Sequence, residues 1–340
     1  METRNQPDPN TPLPSFSIVV ETENLAVTDI AGLEESLDSL AGQQPSPAQA
    51  REVIVIESGD VPKKLLDRLT AKYPWVRFVR AEGDLSYEGA KIEGARRSTG
   101  EIVLYADSDC VYEPDWIWSM LAPFGAYSDL SVLAGETAIR GEGPYALAIA
   151  LTFFFDGHTG GNDLYQRPTY YFNNVAFRRR FLLDNPPAVE GASYRGGIVM
   201  HIAELSRKGC PIWWQPWARA HHAPPKGLAT WFWRYLLIGA DNVAIRRSML
   251  GEWENWRRSV RGGRWAKLKR RLKANIGRKP RSAWYLPLAL PIAGLSAGLV
   301  YAGAGIALAK PNYILKNFKQ LERVSQSHSA DVPGARSSGG

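Results

Sequence analysis

The chain of 340 residues is short of cysteine, having Cys110 and Cys210 alone. Two thiols cannot build a disulfide framework or a cysteine-rich zinc site, and such sparing use fits a reducing compartment. The opening stretch METRNQPDPNTPLP has no apolar run, so no secretory leader is expected there. Acids are missing from one long stretch: Asn255 to Leu321 holds 15 Lys and Arg and no Asp or Glu, whereas residues 1–254 carry a net charge of −8. An acidic body therefore carries a basic tail. With 45% hydrophobic and 22% charged residues the chain is not a disordered one, and its length suffices for one large domain with an appendage.

From residue 15 to about residue 135, short apolar runs alternate with helical patterns, the βαβ signature of a mostly parallel sheet. The predicted strands are FSIVV (16–20), EVIVI (52–56), VRFV (76–79), IVLYA (102–106) and LSVLA (130–134). Between the first two, Thr28 or Asp29 can cap a helix that aligns Leu33, Leu37 and Leu40 on one face. Further helices are expected at 62–72, 88–98, 115–122, 197–208 and 231–247, with a short strand at IWWQP (212–216). The stretch FFFDGHTGGNDLY, 153–165, reads as a mobile loop hinged at Gly157, Gly160 and Gly161.

Residues 253–281 hold 12 basic residues interleaved with Trp253, Trp256, Trp265, Leu268 and Leu272, a composition suited to an anionic membrane surface. Residues 284–309 follow with 26 positions free of charge. A membrane span needs about 20. Pro287, Pro291 and basic residues on both sides leave a bent hairpin open beside a full span. The expectation is anchorage at the inner cell membrane with the folded body in the cytoplasm and membrane lipid as a partner. The same basic stretch could suit nucleic acid, but the adjoining apolar segment favours lipid.

In a sheet of this kind, ligands bind beyond the carboxyl ends of the strands. Three of those ends carry acids: Glu21 with Glu23, Glu57, and Asp107 with Asp109. The Asp-Ser-Asp of IVLYADSDC places two carboxylates where they repel unless a cation or strong donors stand nearby. Mg2+ or Mn2+ takes hard oxygen ligands and keeps phosphates in its shell, so the triplet suits a nucleoside diphosphate; as a bare motif it also fits a polar turn or a helix cap.

The run YEGAKIEGARRSTGEIVLYADSDC (87–110) resembles the inverting family 2 glycosyltransferases of the GT-A fold, in which a helix with a basic residue and Gly-Glu precedes the strand ending in Asp-x-Asp. NNVAFRRRFL (173–182) is similar to the family's acceptor-side Asn-x-Ala-x-Arg-Arg segment, and LSRKGCPIWWQPWARAHH (205–222) to its Leu-x-x-x-Gly helix end, next strand and closing His. The likeness covers about residues 15–245. It implies a metal held by Asp109 and His221, with His222 an equal choice, and nucleotide-sugar contacts from Asp107, Lys91, Glu57 and Glu23. It also implies a nucleotide-diphosphate sugar as donor and inversion at the anomeric carbon. With the apolar tail it points to a lipid-linked or glycan acceptor and divides the chain into a disordered start (1–14), a GT-A domain (15–250), a basic juxtamembrane segment (251–282), a transmembrane or re-entrant helix (283–310) and a tail (311–340).

One departure stands out. The family's Glu-Asp or Asp-Asp pair, whose second acid is the catalytic base, would fall on Gly197 and Ile198. Glu190, in a Gly-flanked loop, is the expected substitute, ahead of His201 and Glu204. The alternative is a catalytically weak scaffold that binds a nucleotide sugar at the membrane.

Overall fold

The computed structural model describes residues 2–22, 30–57, 61–80, 85–188, 194, 196–249, 264–277 and 280–318. Ten strands form one sheet: β1 (Thr3–Arg4), β2 (Phe16–Glu21), β3 (Val53–Glu57), β4 (Val76–Arg80), β5 (Ile102–Asp107), β6 (Cys110–Tyr112), β7 (Val132–Ile139), β8 (Leu164–Gln166), β9 (Asn174–Arg178) and β10 (Trp213–His222). Their order is β1-β8-β10-β7-β9-β5-β2-β3-β4, with β6 paired to β10. The helices are α1 (Ile30–Ala41), α2 (Lys63–Lys72), α3 (Tyr87–Arg96), α4 (Trp116–Ala126), α5 (Pro144–Thr152), α6 (Arg179–Asp184), α7 (Gly196–Arg207), α8 (Gly227–Ser248), α9 (Arg264–Leu272) and α10 (Leu286–Ala309).

The half of the sheet read from the βαβ pattern is parallel: β5, β2, β3 and β4 run side by side in one direction. Both faces of β2 and β5 are covered, which is why these two strands are buried along their whole length. Alternate side chains serve two cores. Ile18, Val20 and Leu104 pack toward α1 and α4, and Val19, Val103 and Tyr105 toward α3 and α7. Leu33, Leu37 and Leu40 of α1 are fully buried, as their spacing requires. The caps proposed for that helix, Thr28 and Asp29, lie outside the described residues.

The other half departs from the expected parallel order. β9 enters antiparallel between β5 and β7, reached from β8 by a short connection with no crossover helix. The segment read as a short strand at 212–216 extends to His222, pairing parallel with β7 and antiparallel with β6. That extension carries the two histidines to the edge of the Asp-x-Asp turn. The loop at 153–165 is tied down: Asp156 binds Arg167 at 2.5 Å, and the Thr159 amide donates to Glu136 at 2.7 Å.

Beyond the sheet, α8 and α10 pack so closely that a Cβ on Gly239 would come within 2.0 Å of the Val300 carbonyl, and one on Gly303 within 2.1 Å of the Leu236 carbonyl. Small residues at a helix crossing allow this approach. The helical stretch Pro280–Ala309 is long and apolar enough to cross a membrane, with 17% of its most apolar window buried. Trp284, Leu288, Leu295, Tyr301 and Leu308 project from it.

Candidate active site

The carboxyl ends of β5, β2 and β3 lie together, Asp107 directly opposite Glu21 in the ladder and Glu57 at the end of the next strand. Asp107 is buried, and both of its carboxylate oxygens are met by donors. Lys91 Nζ reaches Oδ1 at 2.5 Å, the Tyr87 hydroxyl donates to Oδ2 at 2.8 Å, and the Asp107 amide donates to the Tyr112 hydroxyl at 2.9 Å. Helix α3 makes this possible because Tyr87 and Lys91 lie four residues apart on one face. Lys91 is wholly buried and also donates to the Phe172 carbonyl at 3.0 Å. Lys91, expected to meet the nucleotide or its phosphates, is therefore paired with Asp107 here. Glu57 is buried at 6% exposure.

Asp109 turns the other way, its side chain 48% exposed. His222 Nε2 lies 3.1 Å from its Oδ2, and the Ala223 amide donates to its carbonyl at 2.8 Å. The other ring nitrogen of His222 faces the Ala223 carbonyl. A hydrogen on that nitrogen leaves the Nε2 lone pair aimed at a carboxylate, an arrangement that a divalent cation would satisfy. Asp109, His222 and the buried Cys110 can bring ligand atoms within 4.8 Å of one another. Burial, with Asp109 and Asp107 adding to it, pushes the Cys110 thiol well above its ordinary pKa, so it stays a neutral sulfur beside the hard oxygen donor.

His221, the residue expected beside Asp109, points to the opposite face of β10, because side chains alternate along a strand. Its Nε2 lies 3.0 Å from Glu113 Oε1, and its ring meets that of His158 edge to face with centroids 4.9 Å apart. Glu113, His158 and His221 form a separate group with ligand atoms within 4.8 Å. Burial, with His221 adding to it, draws His158 down to about 4.

Next to Asp107 and His222 a cavity of about 190 Å3 opens, walled by the aromatic run from Thr169 to Asn173, by α7 and by α8. Ile198, where the family's base would stand, lines it, as does Asp241 of α8. Asp241 accepts the Tyr194 amide at 2.7 Å, just ahead of α7. Gly197 has no room for a side chain: a Cβ would meet the Ala188 carbonyl at 2.4 Å and Glu88 Oε1 at 3.1 Å. Glu88 of α3 thus brings a carboxylate to the start of α7, and Asp241 of α8 brings one to Tyr194 just ahead of it. Of the expected substitutes, Glu190 lies outside the described residues, as does Glu23. His201 is buried against the Tyr170 hydroxyl at 2.7 Å, and Glu204 pairs with Lys208 at 2.7 Å.

Residues 17–184 match the family model described as glycosyl transferase family 2. Among curated proteins, a probable N-acetylgalactosaminyltransferase 7 of Caenorhabditis elegans is 31% identical over 114 residues, 33% of this chain and 18% of that protein. N-acetylgalactosaminyltransferase 6 of Drosophila melanogaster is 28% identical over 117 residues, again 33% of this chain and 17% of the relative. The chain therefore spans less than a fifth of the length of these relatives. A solved structure, the mannosyltransferase PcManGT from Pyrobaculum calidifontis in complex with GDP-Man and Mn2+, superposes with a TM-score of 0.52 at 18% identity, covering 97% of this chain and 89% of that one. The sheet with its helices is the GT-A arrangement, and residues 17–184 belong to glycosyl transferase family 2.

Proposed function

We propose that the chain is a metal-dependent glycosyltransferase that moves a sugar, with inversion, from a nucleotide-diphosphate donor to an acceptor at the membrane. The observation that carries this reading is the split of the Asp-x-Asp pair: Asp107 fixed inward by Lys91 and Tyr87, Asp109 turned outward beside His222. An inward carboxylate with its donors already met is rigid and suits the orientation of a ribose or sugar hydroxyl. The outward pair would hold Mn2+ or Mg2+, which supplies charge compensation to a departing diphosphate. Glu57 at the neighbouring strand end suits contacts to the ribose or base. The PcManGT complex, which contains GDP-Man and Mn2+, is in keeping with a donor of this class.

The acceptor reaches the cavity from the side of α8, which separates it from the apolar α10. That placement supports a membrane-linked acceptor, with the body on the cytoplasmic face and the basic segment against lipid. Calorimetric titration of UDP and GDP with and without Mn2+ tests the donor site, since binding by the full chain should require the metal. The scaffold reading draws its support from Ile198 in place of an acid; donor binding without turnover on any acceptor would favour it.

A further inference from the structure

The face of β10 turned away from Asp109 carries a group of side chains that the donor site does not use. His221 points there with Nε2 3.0 Å from Glu113 Oε1, and the His158 ring lies edge to face against it. The fold holds each of the three in place. Glu113 directly follows β6; its amide donates to the Arg219 carbonyl at 3.1 Å, and its own carbonyl accepts from the Gln43 side chain at 2.8 Å. His158 sits between two ties of its loop, Asp156 on Arg167 and the Thr159 amide on Glu136. Gly157 at φ +81° and Gly160 at φ +64° turn the backbone around it. His158 Nε2 lies 3.3 Å from the Ala220 carbonyl. A carbonyl only accepts, so the hydrogen is on Nε2 and the lone pair of the ring is on Nδ1. A backbone bond of this kind is what orients a metal-binding imidazole.

We propose that Glu113, His158 and His221 bind a zinc ion that clips the 153–165 loop to β10, at a site separate from the one at Asp109. Two imidazoles and a carboxylate are a donor set for Zn2+, whereas Mg2+ and Mn2+ favour oxygen alone. Donors bound to one tetrahedral zinc stand about 3.4 Å apart, and the three ligand atoms here lie within 4.8 Å of one another. A shift of at most about 1.5 Å by half-buried side chains completes the set. Three protein ligands leave the fourth position open. A cavity of about 150 Å3, lined by both histidines with Asn275, Ser282 and Tyr285, gives a water room to fill it. Arg219 is the unfavourable neighbour, its Nη1 3.5 Å from Glu113 Oε2, and Glu142 brings a second carboxylate to the cavity wall. Each ligand shares a short segment with a part of the donor site: Glu113 with Asp109, His221 with His222, and His158 with Phe155, whose ring centroid is 4.9 Å from that of His222. An ion held by all three braces the donor site from behind.

The test uses the full chain in neutral-detergent micelles, carrying Asp109→Asn so that the other group loses its carboxylate and Zn2+ reports on this one. Calorimetric titration should show one Zn2+ bound per chain, and Co2+ in its place should give the visible absorption of a four-coordinate ion. Glu113→Gln, His158→Ala and His221→Ala, each added to that background, should weaken Zn2+ binding by about a hundredfold or more, at or beyond the upper end of what a lost supporting hydrogen bond costs. Zn2+ should raise the melting temperature by a few degrees, and by much less in the three variants. Melting curves without metal verify that each variant folds, and Glu113→Gln, which keeps the shape of the side chain, serves where an alanine variant does not. Zn2+ affinity unchanged in any folded variant overturns the three-ligand set. Zn2+ bound by the unaltered chain but lost with Asp109→Asn alone would put the ion at Asp109 and His222 and overturns the proposal. Variants that melt lower while no chain binds Zn2+ would make the group a hydrogen-bonded cluster only, which overturns it as well. Zn2+ bound as expected by an unaltered chain that shows no Mn2+-dependent nucleotide binding would fail the glycosyltransferase reading and leave the clip standing.

Discussion

Lys91 and Asp107 form a buried ion pair, Nζ to Oδ1 at 2.5 Å, in which the lysine is wholly inaccessible and the aspartate side chain 9% exposed. The pair joins α3 to the end of β5 and holds the first aspartate of the Asp-x-Asp motif in one orientation.

Removing one partner from such a pair leaves an uncompensated charge inside the protein. Lys91→Met is expected to lower stability by about 3–5 kcal/mol, measured by denaturant unfolding. Lys91→Arg should not restore it, because a forked guanidinium does not fit a site shaped for a single ammonium between Asp107 and the Phe172 carbonyl. A Met variant as stable as the parent would mean that the pair contributes nothing to the fold.

The two adjacent histidines should behave differently. His222→Ala is expected to weaken Mn2+-dependent nucleotide binding by about tenfold or more, while His221→Ala leaves it near the parent value. Calorimetry on the two variants distinguishes them; equal losses would contradict the assignment of His222 to the Asp109 side of the strand.

The parallel half of the fold was readable because buried strands give continuous Val and Ile runs and α1 gives a clean leucine stripe. Asp107 and Asp109 were readable from the motif at a strand end. The choice between His221 and His222 was not, although a signal existed: residues alternate across a strand, and His222 pairs with Cys110, next to Asp109. Arg270 and Arg271 were hidden by their neighbours, since a basic run beside an apolar helix reads as a membrane-facing surface. Folding instead turns both toward Asp156. Glu88 reaches Gly197 and Asp241 the Tyr194 amide from helices far apart in sequence, a placement that no local pattern encodes.

His201 gives the fold an acid-sensitive point. Burial draws its pKa down to about 4, so the folded state prefers the neutral ring while the unfolded chain takes up a proton near 6.5. The unfolded state therefore binds more protons between those values, and stability falls as pH drops from about 6.5 toward 4, by up to about 3 kcal/mol. His201→Gln, which keeps a partner for the Tyr170 hydroxyl, should lose less of its melting temperature across that window. An unchanged slope would place the acid sensitivity elsewhere.

The crossing of α8 and α10 has no space for larger side chains. Gly239→Leu and Gly303→Leu should each separate the helices and lower the melting temperature by several degrees, since the obstructing atoms are backbone carbonyls that cannot swing aside. Leucine variants that melt with the parent would show that this crossing is not maintained.

The central claim, a metal-assisted nucleotide-sugar site built on Asp109, is tested most directly by calorimetric titration of nucleoside diphosphates into the full chain and into Asp109→Asn, each with and without Mn2+. The parent should bind only with the metal present, and the variant should lose that dependence together with about tenfold or more of the affinity. Tight binding by the parent without metal, or a variant that binds as the parent does, would contradict it.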